Sequence, residues 1–302
     1  MADFSPVPRN GVLTKVGFGV EVTAGTPVTP TLFVEAQSEE IVDGPQVENQ
    51  QGMTGVRSNH EGSTFIATYA SGGPFTANAR STILGAFLQY GLGAATGNAT
   101  LTLPSLTAAV GKASSKTLTV AGCKVATLSL SSSGNAPLVI NPTLAGLTAS
   151  WADADTYAAE YPDLTESIIT HSDISMTVDG DDLPIYEFGL EVDNAIDTEN
   201  YTNSQYRQSL EEIDRMVNLS FTCPWNNDTR GILDAFISKV SQAIVVTLGT
   251  AKIITMSNVV YNGETPTMSG REAQRASFTG MAMITGALSA GSEGGEIVLS
   301  NP

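Results

Sequence analysis

A hexapeptide recurs halfway along this chain of 302 residues. Ile83-Leu84-Gly85-Ala86-Phe87-Leu88 is matched by Ile232-Leu233-Asp234-Ala235-Phe236-Ile237, 149 residues further on. Apolar side chains spaced i, i+1, i+4, i+5 fall on one face of a helix. Helices are therefore expected at about 79–90, capped by Asn78, and about 229–242, capped by Asp228. Their stripes are Ile83, Leu84, Phe87 and Leu88 in the first, and Ile232, Leu233, Phe236 and Ile237 in the second. These are core-facing surfaces. The flanks agree in kind: each helix follows a strand and a short polar stretch, and each precedes two or more strands. A long polar segment without clear periodicity also lies before each, at 48–63 and 197–214. A repeat on this scale decides the architecture before any local motif does. It predicts two copies of one unit, 1–160 and 161–302, joined within 153–166.

Outside the helices, period-2 alternation dominates. Strands are expected at 13–22, 65–69, 116–120, 124–130, 138–147, 173–178, 185–192, 216–222, 244–248, 252–261, 276–284 and 296–299. Ala24-Gly25-Thr26-Pro27 reads as a turn and Ala121-Gly122 as a break between strands. Asp179-Gly180-Asp181-Asp182 reads as a hairpin joining 173–178 to 185–192. The fold class expected is mainly β with two short helices (α+β), as tandem sandwich or barrel-like domains, each with a flanking helix.

Charge narrows the function. Acidic residues outnumber basic ones 31 to 14, a net charge of −17, yet charged residues make up only 15% of the chain. Such a surface binds nucleic acid poorly, and a β-rich chain with so few charges is expected to be covered by other subunits. Between Asp153 and Asp214 there are 17 acidic residues and one basic residue, Arg207. Cys123 and Cys223 fit no metal spacing and read as free thiols in apolar strands, made in a reducing cytosol. No signal peptide or membrane-length apolar run is apparent.

Motifs that carry chemistry are missing. His60 and His171 have no partner at metal spacing, and no Gly-x-Ser-x-Gly elbow accompanies them. Gly111-Lys112 lacks the upstream glycine of a phosphate loop. The Asp179–Asp182 run has leucine where a calcium loop needs further oxygen ligands. No enzymatic activity, cofactor or metal is expected.

Three segments carry a resemblance. Gly11-Val12-Leu13-Thr14-Lys15-Val16-Gly17-Phe18-Gly19-Val20-Glu21 leads to the Gly25-Thr26-Pro27 turn. Gly122-Cys123-Lys124-Val125-Ala126-Thr127-Leu128-Ser129-Leu130 follows at mid-chain. Ser172 to Gly180 and Gly189-Leu190-Glu191-Val192-Asp193-Asn194 lie in the second half. In this order they resemble the tail tube proteins of long-tailed, non-contractile phages, of a duplicated-domain type. The resemblance implies a structural virion protein of packed β-sheets with a flanking helix, forming stacked rings through which DNA leaves the head. Most such rings have six single-domain subunits, so two copies per chain imply a trimer with pseudo-sixfold symmetry. Implied partners are further copies of the chain, a tape measure inside, and terminator and tip proteins at the ends. DNA would pass without specific binding, and the tail would be assembled in the host cytoplasm. Other β-rich assembly proteins, a capsid decoration protein or a bacterial surface adhesin, remain the alternative.

With that resemblance, the acidic residues Asp173, Glu187, Glu191 and Asp193 are the expected lumen lining. Alternation sends Glu187 and Glu191 to one face and Phe188, Leu190 and Val192 to the other. The polar segments are expected to be arms reaching neighbouring rings. Their candidate contact residues are Glu48, Gln50, Arg57, His60 and Glu61 in the first, and Asp197, Glu199, Tyr201, Tyr206 and Arg207 in the second. The ends, 1–10 and 294–302, are expected to be arms that order on assembly.

Overall fold

The computed structural model describes residues 14–50, 52, 58, 60–112, 116–154, 156–157, 160–263, 274–284 and 294–302. Arg57 and the 1–10 arm lie outside these, as do the side chains of Asp228 and Phe236. The first half contains β1 (Val16–Val20), β2 (Leu32–Val34), β3 (Ala36–Glu39), β4 (Pro45–Asn49), β5 (Thr64–Tyr69) and β6 (Gly72–Asn78). Helix α1 (Ser81–Leu92), β7 (Gly97–Asn98), β8 (Leu106–Gly111), β9 (Thr117–Ser133), β10 (Val139–Ala145) and β11 (Thr148–Ala152) follow. The second half has β12 (Ile174–Val178), β13 (Asp181–Leu183), β14 (Glu187–Asp193), β15 (Met216–Pro224) and helix α2 (Asn227–Ser238). It ends with β16 (Gln242–Leu248), β17 (Lys252–Gly263), β18 (Arg275–Ala282) and β19 (Val298–Ser300). The chain is mainly β with two helices, as its sequence indicates.

Among the described strands every ladder is antiparallel. In the first half one sheet runs β2–β1–β8–β9–β11 and a second runs β3–β6–β10–β9. The second half pairs β13–β12–β16–β17–β19 and β14–β15–β18–β17. The order is the same, strand for strand. Even an irregularity recurs: the register shifts between Leu106 and Ala108 and again between Gln242 and Ile244. β14 then pairs with the far end of β9, from Glu187 opposite Ser133 to Asp193 opposite Thr127. One continuous sheet, β3–β6–β10–β9–β14–β15–β18–β17, therefore crosses both halves.

β9 is one strand of 17 residues, not two. The expected break at Ala121-Gly122 is a bend. Gly122 has φ +69, and a Cβ there would lie 2.5 Å from the Leu147 side chain. Only glycine takes this conformation without strain. The bend is also pinned chemically. Buried Glu21 accepts from Gly122 N (2.9 Å), Gly25 N (2.8 Å), Ser105 Oγ (2.7 Å) and Thr107 Oγ1 (2.7 Å). One carboxylate thus ties the Gly25 turn, β8 and the β9 bend together.

The core is continuous. In the first half Phe18, Phe75 and Phe87 meet with ring centroids 5.0–5.1 Å apart. In the second half Phe221, Tyr261 and Phe278 form another aromatic cluster at 5.5–6.4 Å.

Several boundaries differ from expectation. Asn78 ends β6 and its side chain accepts from Gln37 at 2.9 Å. The N-cap residue of α1 is Arg80, and Thr82 N in the first turn donates to Glu166 Oε2 at 2.8 Å. That carboxylate comes from the joining segment, out of reach of a local pattern. Asp228 lies inside α2, and Asn226 Oδ1 caps it by accepting from Thr229 N. The segment before α1 is the strand β6, not a polar stretch. The Asp179-Gly180 hairpin joins β12 to β13, with Val178 opposite Asp181. The strand expected at 296–299 is β19, at 298–300, paired with β17 within the single chain and so not an arm that orders only on assembly.

Candidate functional site

The through-going sheet has one face in the core and one open. On β14, Phe188, Leu190 and Val192 are buried, whereas Glu187 and Glu191 are exposed and Asp193 half-buried. Beside them on the open face stand Ser129, Ser131 and Ser133 of β9, Asn218 and Ser220 of β15, and Ser277, Thr279 and Met281 of β18. This face forms a shallow trough. One stretch, of about 620 Å³, is lined by Ser131, Glu191, Asn218, Ser220 and Thr279 among others. A second, of about 490 Å³, continues it past Glu187, Thr222 and Ser277.

The wall is made of short hydroxyl and amide side chains with sparse charge. Thr222 Oγ1 donates to Glu187 Oε2 at 2.9 Å and shares a hydrogen bond with Ser277. Gly189 leaves room for its cross-strand neighbour, since a Cβ there would come within 2.4 Å of Ser220 Oγ. Glu187, Glu191 and Asp193 are on one strand face as the alternation predicts. Asp173 is elsewhere. It closes a 3-10 turn at His171–Asp173, accepting from Thr170 N and Oγ1 at 2.8 Å. Those hydrogen bonds hold its carboxyl below the usual range.

The two polar segments leave the sheet at the same end of its strands, next to Gly72 of β6 and Asp193 of β14. In the first, β4 and β5 form a two-stranded hairpin, Pro45 opposite Tyr69 and Asn49 opposite Thr64. Glu48 is exposed within β4, while His60 and Glu61 sit at the 3-10 turn Glu61–Ser63, where His60 Nδ1 accepts from Gly62 N. Gln50 N donates to Ser63 O, closing the hairpin end. Val47 and Phe65 are left 66% and 45% exposed.

The second segment folds back without strands and rests on the first. Tyr206 stacks on Tyr69 at 4.5 Å, and Tyr69 N donates to Gln205 O. Arg207 points inward: it donates to Thr198 O, Ser71 O and Gly146 O and lies over Tyr201. Asp197 Oδ1 accepts from Glu199 N in the same fold. Tyr206 and Arg207 therefore fasten this arm to the body, a role that their polar context alone did not reveal. The arm's base is held by Glu212, which accepts from Lys124 Nζ at 2.7 Å and Leu103 N at 2.8 Å. Burial raises the Glu212 carboxyl, but these donors outweigh it and hold it below the usual range.

Nothing here resembles a reaction centre. The described residues hold no cluster of three or more His, Cys, Asp or Glu able to bind a metal. No helix among them is long and apolar enough to cross a membrane. Cys123 and Cys223 are buried and free, with burial pushing their thiols up to about 12 and about 11. What remains is a polar trough, two arms and open sheet edges. No curated protein matches the chain. Residues 11–282 match the family model described as phage tail tube protein. Matched over most of its length, the chain belongs to the phage tail tube protein family, whose members are structural components of the virion tail and not enzymes.

Proposed function

We propose that the chain is a tube unit in duplicate, that three chains close a ring of six units, and that rings stack into the tube through which DNA passes. The β9–β14 pairing carries this reading. It joins the last strand of one half's trough sheet to the first strand of the other's. Two equivalent edges stay open: β3 pairs only with β6, and residues 260–263 of β17 pair only with β18 among the described strands. Repeating the β9–β14 joint between chains would pair β17 of one with β3 of the next. Closing the sheet in this way leaves no edge exposed, and a head-to-tail joint that closes gives cyclic symmetry.

The trough would then be the lumen wall. Glu187, Glu191 and Asp193 repel phosphates, and the serines and threonines offer neither cations nor aromatic faces to hold a strand. The β4–β5 hairpin supports contact between rings. Val47 and Phe65 stand exposed on it, apolar side chains that a neighbouring ring would cover. The tape measure, terminator and tip proteins would meet this tube inside and at its ends, during assembly in the host cytoplasm.

Electron microscopy of the purified chain at high concentration tests the reading. Striated hollow tubes with threefold rings are expected; compact particles of any concentration-independent size would overturn it. In such tubes, Glu187→Lys with Glu191→Lys should make the bore retain DNA at low salt and release it as salt rises. Deleting 48–63 should leave separate rings.

A further inference from the structure

Within one chain, α1 meets the second half along a seam. Lys252 Cε is 3.5 Å from where a Cβ on Gly85 would stand, and Lys252 Nζ donates to Ala95 O and Asn301 Oδ1 at 2.8 and 2.7 Å. β7, in the connection after α1, pairs with β19, placing Gly97 opposite Leu299. Leu299 is consequently only 2% exposed.

The ladders give each seam residue a counterpart. The offset that takes Leu106 to Gln242 and Ala108 to Ile244 takes Lys116 to Lys252. Trp151 stands opposite Leu118 as Leu299 stands opposite Ile254, so Trp151 corresponds to Leu299. The helix repeat takes Gly85 to Asp234, and Ile237, three residues on, lies on the same side of the helix.

Those counterparts are open to solvent, on two separate surfaces. Ile237, on α2 with Asp234, is 67% exposed, and Val240, just past the end of the helix, is 56% exposed. Trp151, on the β11 edge near Lys116, is 51% exposed. The ion pairs these residues make are peripheral: Asp234 with Arg230 at 3.7 Å, and Lys116 with Asp153, all more than half exposed. Pairs of that kind contribute little.

We propose that these two surfaces are the halves of a joint between chains: Lys116 of a second copy seats on Asp234, and its Trp151 packs against Ile237 and Val240. The proposal rests on the duplicated-ring reading and adds which side chains make the lateral contact. The sequence difference between the seams fits it. Inside the chain a glycine suffices, because the two halves are already tethered and Lys252 Nζ is met by Ala95 O and Asn301 Oδ1. Between chains a carboxylate stands at that position, opposite in charge to the lysine it must attract. A buried tryptophan at such a joint is the kind of anchor that dominates association.

The experiment uses the full chain with Asp234→Lys, Lys116→Asp, the two together, and Trp151→Ser, followed by sedimentation and electron microscopy. Wild type should assemble, each single variant should sediment as one chain, and the double charge swap should recover rings. Circular dichroism melting of the unassembled variants should match wild type, since every altered side chain is solvated in the single chain. Separately, Trp151→Cys with Ile237→Cys, treated with a short bismaleimide, should give bands of two and three chains on a denaturing gel. The buried native thiols should stay silent. Wild-type tubes together with normal tubes from all three single variants would overturn the joint and leave the tube reading standing. A double swap that stays dissociated, or an assembled cysteine pair that gives no ladder, would overturn the contact proposed. A wild-type chain that never assembles would overturn both.

Discussion

Helices α1 and α2 carry nearly the same stripe and sit in different surroundings. Ile83, Leu84, Phe87 and Leu88 are all buried; of the second stripe, Ile232 and Leu233 are buried but Ile237 is exposed. The cause lies after the helices. Residues 93–105 leave α1, cross to the other half and pair as β7 with β19, whereas three residues, 239–241, separate α2 from β16. The same contrast appears at Glu21. Its counterpart by strand register, Phe18 opposite Ala108 as Val178 is opposite Ile244, is Asp181, exposed beside a hairpin turn. The first half is covered by a connection that reaches the second and is tied by a buried carboxylate. The other leaves the same positions open. A helical period therefore says which face is apolar, while the neighbouring connection decides whether that face is covered inside the chain.

Four measurements sharpen or break this contrast. The largest effect is expected at Phe87, where alanine should cost about 3–5 kcal/mol in urea unfolding through loss of the aromatic cluster; Ile237→Ala should stay within about 0.5 kcal/mol in the unassembled chain. Equal losses would erase the distinction between the helices. Next, Glu21→Gln should cost about 2–3 kcal/mol, because an amide cannot accept from all four donors and leaves buried ones unmet. Asp181→Asn should be nearly silent.

A smaller effect concerns pH. Glu212 is held below the usual carboxylate range in the folded chain, so the unfolded chain takes up its proton first. The stability it contributes is full above the unfolded value of about 4.3 and is lost as pH falls through the lower folded value. Unfolding midpoints at pH 7 and pH 3 should therefore lie closer together in Glu212→Gln than in wild type. The least perturbation is chemical: with thiols raised to about 12 and about 11 and both buried, Cys123 and Cys223 should resist a maleimide at neutral pH until the chain is unfolded. Fast labelling of Cys223 alone would mean that the second half opens independently.

Much of this was legible in the sequence, and the gaps have physical causes. Alternation in 187–192 separated Glu187 and Glu191 from Phe188, Leu190 and Val192, because a strand with one buried face must alternate. β8 was missed: Leu106–Gly111 is buried on both faces and shows no alternation. Gly122 looked like a break because positive φ marks turns as well as bends, and only the contacts with Leu147 and Glu21 tell them apart. Asp173 was placed with the wall by charge and proximity in sequence, but its carboxylate is committed to Thr170. Arg207 read as one cation in an acidic run; two of its three carbonyl acceptors, Ser71 O and Gly146 O, come from the first half, far away in sequence.

In the ring proposed above, the β9–β14 ladder would also set when the joints form. In a ring of three such chains, the joints between units alternate between those within a chain and those between chains. The former close during folding, at a rate that does not depend on protein concentration, because the segment 153–169 holds the two halves at a fixed effective concentration. Only the latter must wait for an encounter. Linking units in pairs would halve the joints left to form between chains, and it excludes rings with an odd number of units.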